Sequence, residues 1–169
     1  RLDDITKFAG MSNATFYNHF KDKDDLVSAV ATSIALELVL AADEKAVDIK
    51  DQAIRLVVST NAVMRTALQH ERWSYVLATA FFLVPEGLID VGGYLKNNVD
   101  RGIAQGVFNT ASDEFQLNQL ASVFISGLRG LKKDNLSIID RTSENLLRLL
   151  GVTPAKASTI LDEAKAFYH

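Results

Sequence analysis

The sequence of 169 residues contains no cysteine and only two prolines, Pro85 and Pro154. The absence of cysteine excludes disulfide bonds, thiolate chemistry and zinc sites built on cysteine. It also suits a reducing compartment, and we therefore expect a cytoplasmic protein. With so little proline, most of the chain is free to form uninterrupted helices.

Three further kinds of segment are missing. The sequence opens on Arg1-Leu2-Asp3-Asp4 and shows no apolar signal peptide. The longest strongly apolar run, residues 73–84, is shorter than the roughly 20 residues that cross a membrane. The strict alternation of apolar and polar residues that is typical of half-buried strands is not sustained anywhere. We therefore expect a helical protein without membrane contact.

The sequence also lacks a strong charge of either sign. The net charge is −3, with 48% hydrophobic and 23% charged residues, which is ordinary for a globular protein and unlike a disordered one. A freestanding nucleic-acid-binding domain is usually strongly basic. Any contact with DNA must therefore be confined to a local surface.

The motifs of common enzymes are absent as well. The three histidines, His19, His70 and His169, are far apart and have no metal-ligand spacing. No nucleophile elbow, phosphate-binding loop or paired-histidine metal motif occurs in the sequence. We therefore expect no enzymatic activity, no bound metal and no cofactor.

Helical periodicity is what remains, and it runs through almost the whole chain. About nine helices are predicted, over residues 3–9, 13–20, 23–45, 49–70, 73–84, 86–105, 113–132, 136–150 and 155–167. Ser12 and Asp22 are predicted to cap the second and third helices, and Thr153-Pro154 to begin the last. Gly10 and Gly151 are expected to end helices, because glycine tolerates the left-handed conformation. The predicted fold class is all-α.

Residues 5–26 carry the most information, since they predict two short helices around a tight turn. Gly10 supplies the turn, and an apolar set is expected to face inward: Ile5, Ala9, Met11, Phe16 and Phe20. Such a pair is typical of a helix-turn-helix, whose second helix lies in the major groove of DNA.

The same segment, with AGMSNATFYNHF at residues 9–20 and KDKDDL at 21–26, resembles the signature of the TetR/AcrR family of bacterial transcriptional regulators. The resemblance implies an Ω-shaped homodimer of all-α subunits. It implies a DNA-binding head with a long connecting helix over residues 1–45, and a helical-bundle body for effector binding and dimerisation over 46–169. The family's first helix and basic arm have no counterpart here, so we expect an N-terminally incomplete head with a truncated helix-turn-helix domain.

The outward side chains of the second helix are small or hydrogen-bonding, and none is a carboxylate. Amides can bond adenine edges and small side chains can contact thymine methyls, whereas Tyr and Lys can reach phosphates. The expected DNA-contacting residues are Ser12, Asn13, Ala14, Thr15, Tyr17, Asn18, His19 and Lys23. Taken singly, such residues are also typical of ordinary packing or solvated surface. The orientation of Asp3 and Asp4, near the expected path of the phosphates, stays open.

Polar groups on apolar helical faces are candidates for an effector pocket, because buried polar atoms need partners. The predicted pocket consists of Asn61, Met64, Arg65, His70, Trp73, Thr79, Phe82, Tyr94, Asn98 and Phe124. For its aromatic members, ordinary core packing is the alternative. An apolar pocket with a few polar anchors predicts a small, mainly hydrophobic effector.

The resemblance places the dimer interface on the helices predicted at 113–132 and 136–150. The expected interface residues are Leu117, Ala121, Phe124, Leu128, Leu131, Ile139, Leu146 and Leu150. Gly127 and Gly130 would permit close approach of helices across the interface. The alternative is that these apolar stripes pack only within the subunit.

Together these features favour a ligand-responsive transcriptional regulator, a repressor that a small effector releases from double-stranded operator DNA. The alternative is a helical small-molecule-binding or interaction module that binds no DNA. The acidic balance and the pair Asp3-Asp4 are the features that favour this alternative.

Overall fold

This computed structural model describes residues 1–70, 72–73, 75–77 and 89–168, with side chains described except at 89–92. The described residues include eight α-helices and one short 3-10 helix, and residues 72–73 and 75–77 are helical as well. The α-helices are α1 Leu2–Phe8, α2 Asn13–His19, α3 Lys23–Lys45, α4 Gln52–Gln69, α5 Ile89–Gln105, α6 Glu114–Gly130, α7 Ser137–Leu149 and α8 Pro154–Ala164. The 3-10 helix Lys165–Phe167 follows α8 directly. No strand occurs among the described residues, and the all-α prediction is confirmed.

The predicted helix ends are confirmed where their chemistry is local. The side chains of Ser12, Asp22 and Thr153 each accept a hydrogen bond from the backbone N–H three residues further on. These bonds satisfy donors that the helix itself leaves free. Pro154 occupies the first turn of α8, where its missing N–H has no partner to lose. Gly10 has a φ of +67°, in the left-handed region that glycine adopts without strain.

α4 begins at Gln52, later than the predicted start at residue 49. The side chain of Asp51 accepts hydrogen bonds from the N–H groups of Ala53 and Ile54, so Asp51 is the cap of this helix. Ile49 lies in the preceding loop and is buried, so it contributes to the core without belonging to α4. Most of the helix predicted at 73–84 lies outside the described residues.

α4 is the central helix of the body, because its two halves pack into two different apolar clusters. Its first half contributes Ala53 and Val57 to a cluster that α5, α6, α7 and α8 complete. Its second half contributes Val63 and Met64 to a cluster that α3, α6 and α7 complete. Each large apolar side chain that is fully buried stabilises the fold by about 1.5–3 kcal/mol. α4 therefore joins the long helix of the head to the rest of the body.

α3 is long and apolar enough, by length and composition alone, to cross a membrane. The sequence pattern predicts no apolar segment long enough to cross a membrane. This prediction overlooks α3 because Glu37 divides its apolar residues into two shorter runs. In the structure Ala35, Leu38 and Ala42 are buried in the cluster shared with α4. The small side chains of Ala35 and Ala42 let α3 approach α4 closely. These apolar residues of α3 thus pack against the body.

Candidate nucleic-acid interface

One aromatic side chain anchors α2 in the head. Phe16 is 1% exposed and is the only buried residue of this helix. Its ring meets that of Tyr17 edge-to-face and is tilted against that of Phe20, each pair with centroids 5.4 Å apart. Such aromatic pairs contribute about 0.5–1.5 kcal/mol beyond the area they bury. The other faces of α2 are left open to solvent.

Two residues that were predicted to face inward are exposed. These residues are Ala9 and Met11, which follow the end of α1. The N–H of Met11 bonds to the carbonyl of Thr6, and this turn carries residues 9–11 outside the contact between α1 and α2. The inner face of α1 holds the buried Thr6 and the half-buried Ile5 instead. The helix-turn-helix contact is therefore partly polar, where the spacing predicted an apolar one.

A polar bridge joins α1 to the start of α2. Asn13 Nδ2 donates to Asp3 Oδ1 at 2.9 Å, and Asn13 Oδ1 accepts from Thr6 Oγ1 at 2.8 Å. Asp3, whose orientation the sequence left open, therefore points at α2. Both ends of the Asn13 amide are occupied within the head, although Asn13 was expected to contact DNA.

The hydroxyl groups of Ser12 and Thr15 have local partners. The N–H of Thr15 donates to Ser12 Oγ at 3.0 Å, and the two hydroxyl oxygens are 2.9 Å apart. Both residues therefore stabilise the first turn of α2. The remaining expected DNA-contacting residues are all exposed: Ala14, Tyr17, Asn18, His19 and Lys23.

The acidic residues that follow α2 are tied to the backbone. Asp22 Oδ1 accepts from the N–H of Asp25 at 2.9 Å, and Asp25 Oδ2 accepts from the N–H of Lys21 at 2.9 Å. Carboxylates at a helix N-terminus also interact favourably with the helix dipole. The side chains of Lys21 and Lys23 are exposed on the same turn. Positive groups are therefore accessible beside α2 despite the acidic sequence around them.

The residues predicted to line an effector pocket occupy different surroundings. Asn61 is buried on α4 and accepts a hydrogen bond of 2.9 Å from Arg65 Nε. His70 stacks on Trp73 with ring centroids 4.0 Å apart. Met64 is fully buried in the cluster shared with α3, so it is a core residue. Tyr94 is exposed, Asn98 and Phe124 are half-buried, and Thr79 and Phe82 lie outside the described residues.

Half of the predicted dimer-interface residues face the interior of the subunit. Leu128, Ile139, Leu146 and Leu150 are each at most 4% exposed, so a second subunit cannot contact them without repacking the core. Their burial favours the alternative for these four residues, in which the apolar stripe packs within the subunit. Leu117, Ala121, Phe124 and Leu131 are half-buried.

The close approach of α6 and α7 is also internal. Gly127 of α6 is buried, and a Cβ placed there would collide with the side chain of Thr142 on α7. Gly130 lies nearer the surface, where a Cβ would only touch Ile138. Gly127 is therefore required for packing within the subunit, where the sequence suggested a role between subunits.

The outer face of α6 and α7 carries apolar residues that were not among the predicted interface residues. Phe115 is 72% exposed. Val123, Asn145, Arg148 and Leu149 line an open groove between the two helices. Phe115 and Val123 are separated by two steps of four residues, so they share one face of α6. A second apolar stripe along α6, with a spacing of four residues, is the sequence signal that could have identified Phe115 and Val123.

Other ionisable groups do not form a reactive centre. Among the described residues, no group of three or more His, Asp or Glu side chains is placed to hold a metal ion. A hydrogen bond from Lys96 lowers the pKa of Asp100, and a hydrogen bond to Asp162 raises the pKa of Lys165. Both are exposed ion pairs with a distance of 2.7 Å, as expected for surface salt bridges.

Known proteins resemble the chain in two ways: a family model matches its first residues, and solved structures share its overall fold. Residues 1–30 match the family model for bacterial regulatory proteins of the tetR family. The search of curated proteins gave no match.

Two solved structures of RolR resemble the chain over almost its whole length. RolR with its ligand resorcinol has a TM-score of 0.76 and 23% identity, covering 95% of this chain and 82% of RolR. RolR without ligand has a TM-score of 0.75 and 23% identity, covering 96% of this chain and 85% of RolR. At this identity the structural likeness shows the fold alone, and the family match is confined to residues 1–30. Over residues 1–30 the chain is therefore similar to the bacterial regulatory proteins of the tetR family, and over almost its whole length it shares the fold of RolR.

Proposed function

We propose that the protein is a transcriptional repressor that a small, mainly hydrophobic effector releases from its operator. One observation carries the DNA-binding part: Phe16 is the only buried residue of α2, and Tyr17, Asn18 and His19 are exposed on its open side. The family match at residues 1–30 supports the same role.

α2 is proposed to lie in the major groove, where the second helix of a helix-turn-helix binds. The amide of Asn18 can form two hydrogen bonds with an adenine edge, and Ala14 can contact a thymine methyl. Tyr17 and Lys23 are proposed to bind phosphates, which fix the position of the head without distinguishing bases. The exposure of all four side chains supports this assignment.

The effector signal is proposed to reach α2 through α3. This helix runs without interruption over Lys23–Lys45 and packs along α4. Arg55 of α4 bonds to Asp43 and to the carbonyl of Ala46, at the body end of α3. A displacement of α4 would therefore move α3 and change the separation of the two α2 helices in a dimer. That separation must match one turn of DNA, about 34–36 Å.

The body is proposed to bind a small, mainly hydrophobic molecule through a few polar anchors, the usual composition of such pockets. RolR, which shares the fold, was solved with the ligand resorcinol. Candidate anchors on α4 and just after it are the bonded pair Asn61 and Arg65 and the stacked pair His70 and Trp73.

We also propose a homodimer in which α6 and α7 pack against their copies. Exposed apolar patches on a soluble protein commonly mark interaction surfaces. The exposed Phe115 and the groove at Val123 and Leu149 form such a surface. A dimer would present two α2 helices to two half-sites of a palindromic operator.

The DNA-binding proposal is tested by selecting duplexes from a random pool with the full-length protein and measuring their affinity at several salt concentrations. We expect one preferred sequence and an affinity that falls steeply with salt, because bound lysines release counterions from phosphates. A folded protein that enriches no sequence would instead favour the interaction module without DNA binding.

The coupling is tested once an effector is identified. Effector should weaken operator binding, and operator should weaken effector binding by the same factor, because equilibrium coupling is reciprocal. Operator affinity that is unchanged at saturating effector would exclude this mechanism.

A further inference from the structure

The start of α2 is fixed by a side-chain arrangement with a defined polarity. Asn13 Nδ2 donates to Asp3 Oδ1 at 2.9 Å, and Thr6 Oγ1 donates to Asn13 Oδ1 at 2.8 Å. Thr6 is only 4% exposed, and its hydroxyl also lies 3.3 Å from the carbonyl oxygens of Leu2 and Asp3. The hydroxyl has one proton, and its shortest contact is with Asn13.

The carboxylate of Asp3 determines which way the amide of Asn13 points. If the amide were reversed, its oxygen would face the Asp3 oxygen, and two acceptors would be in contact without a proton between them. The observed orientation instead gives every member of the set a complementary partner. Hydrogen bonds to an ionised group are also stronger than those between neutral groups.

This polar set has unusual weight because the apolar contact around α2 is small. α2 has only seven residues, and a helix of this length is not stable by itself in water. Phe16 is its only buried residue, and the neighbouring Ala9 and Met11 are exposed. One buried ring can hold the helix against the head while leaving its rotation about that ring poorly defined. A directional contact at the first residue of α2 removes this freedom.

We propose that Asn13 is a positioning residue which, with Asp3 and Thr6, sets the orientation of α2 on DNA, and that it does not itself distinguish bases. This proposal rests on the proposed DNA-binding function. It assigns the recognition of bases to the side chains on the open side of α2. The negative charge of Asp3 would by itself repel the phosphates of DNA. Its hydrogen bond with Asn13 gives it a role that favours DNA binding instead.

The decisive experiment exchanges the two polar groups. In Asn13→Asp two carboxylates face each other, and we expect about a tenfold or greater loss of affinity for the duplex that the wild-type protein selects. In the double variant Asp3→Asn with Asn13→Asp, the amide introduced at position 3 can donate to the carboxylate introduced at position 13, and Thr6 can still donate to that carboxylate. The net charge equals that of the wild type, and we expect affinity to return to within about threefold. Absence of this rescue would overturn the proposal.

Asn18→Asp is the matched control, because Asn18 is an exposed asparagine on the same helix. Its carboxylate should also weaken DNA binding, but adding Asp3→Asn should not restore the affinity. If Asp3→Asn rescues both variants equally, the effect is one of charge alone and the positioning role is wrong.

The base preference distinguishes positioning from base recognition. When duplexes are selected again with Asn13→Ala, a positioning role predicts weaker binding to the same preferred sequence. A change of preference at one base pair, with the other positions retained, would show that Asn13 contacts a base and would refute the proposal.

A measurement without DNA separates this proposal from the proposed function. The Nδ2 proton that Asn13 donates to Asp3, observed by NMR, should exchange with solvent more slowly in the wild type than in Asp3→Ala, which removes the acceptor. Equal exchange in both proteins would overturn the bonded arrangement. A wild-type protein that shows the protection but selects no duplex would refute the DNA-binding function and with it the role on DNA.

Discussion

Arg55, in the first turn of α4, forms a salt bridge with Asp43 in the last turn of α3. The same guanidinium donates to the carbonyl of Ala46 at 2.6 Å and to that of Val47 at 3.4 Å. The last carbonyls of a helix have no partner within it, and a positive charge interacts favourably with this end of the helix dipole. Arg55 therefore fixes the body end of the helix that leads to the head.

Replacing Arg55 with methionine should destabilise the protein by about 2–3 kcal/mol, because it leaves the carbonyl of the buried Ala46 and the carboxylate of Asp43 without their partner. Asp43→Asn should cost less, since Asp43 is 45% exposed and the bonds of Arg55 to the backbone remain. Chemical denaturation measures both values. Arg101→Met, at an exposed arginine of α5, is the control and should change little. Equal small effects for Arg55 and Arg101 would contradict the structural role of Arg55.

Removing the hydroxyl of Tyr17 should weaken operator binding by about tenfold or more, because a hydrogen bond to a charged group contributes about 1.5–3 kcal/mol. Asn18→Ala should cost about 1–3 kcal/mol and relax the preference at one base pair. Neither change should lower the unfolding temperature, because both side chains are exposed. Tyr75→Phe, at an exposed tyrosine outside the head, should leave DNA binding unchanged. Full operator affinity in both head variants would refute the assignment of this face to DNA.

Some of these features could be predicted from the sequence and others could not. The caps at Ser12, Asp22 and Thr153 depend on partners within three residues, so their positions are visible in the sequence. The contact between Asp43 and Arg55 spans twelve residues and depends on the angle between α3 and α4, which no local pattern specifies.

The proposed dimer surface illustrates a different limit of prediction from sequence. Both the inner and the outer stripes of α6 are apolar, and the predicted interface followed the more regular one, which includes the buried Leu128. Periodicity shows that a face is apolar but does not show whether it packs against the same subunit or another. The exposed Phe115 becomes apparent only when the neighbours of α6 are known.

Phe115→Asp should shift the proposed dimer towards the monomer, because it places a charge on an exposed apolar surface that pairing would bury. Light scattering at micromolar concentrations gives the mass. Phe8→Asp is a suitable control, since Phe8 is 96% exposed but lies in the head. A Phe115 variant with the same mass as the wild-type dimer would place the interface elsewhere.

Gly127→Ala should destabilise the subunit by about 1–3 kcal/mol, because the new methyl group overlaps Thr142 and forces α6 and α7 apart. Adding Thr142→Ala removes the obstructing atoms and should recover most of this loss. Gly93→Ala in α5 is the control: a Cβ there meets nothing within 4 Å, and the change should stabilise the helix by about 0.5–1 kcal/mol. Thermal or chemical unfolding of the three variants tests the packing. A neutral Gly127→Ala would show that α6 and α7 are packed less closely than described.

The hydroxyl of Tyr168 is buried without a normal hydrogen bond among the described residues, although Asn61 is close enough to lower its pKa slightly. Burial, followed by the negative charge of Asp140, raises the pKa of Tyr168 above its usual value of 10.0. The folded protein thus holds this proton more tightly than the unfolded chain does. The resulting stability is therefore fully present below the unfolded pKa of 10.0 and is lost as the pH rises through the folded pKa.

Tyr168→Phe removes both the unpaired hydroxyl and the ionisation. We expect a free energy of unfolding at pH 7 that is unchanged or slightly higher, and a shallower decline of stability above about pH 10. Denaturant titrations across this range measure both effects, and Tyr75→Phe, which alters an exposed tyrosine, should keep the wild-type decline. A loss of more than about 1 kcal/mol at neutral pH would mean that the hydroxyl makes a stabilising hydrogen bond, with Asn61 as its candidate partner.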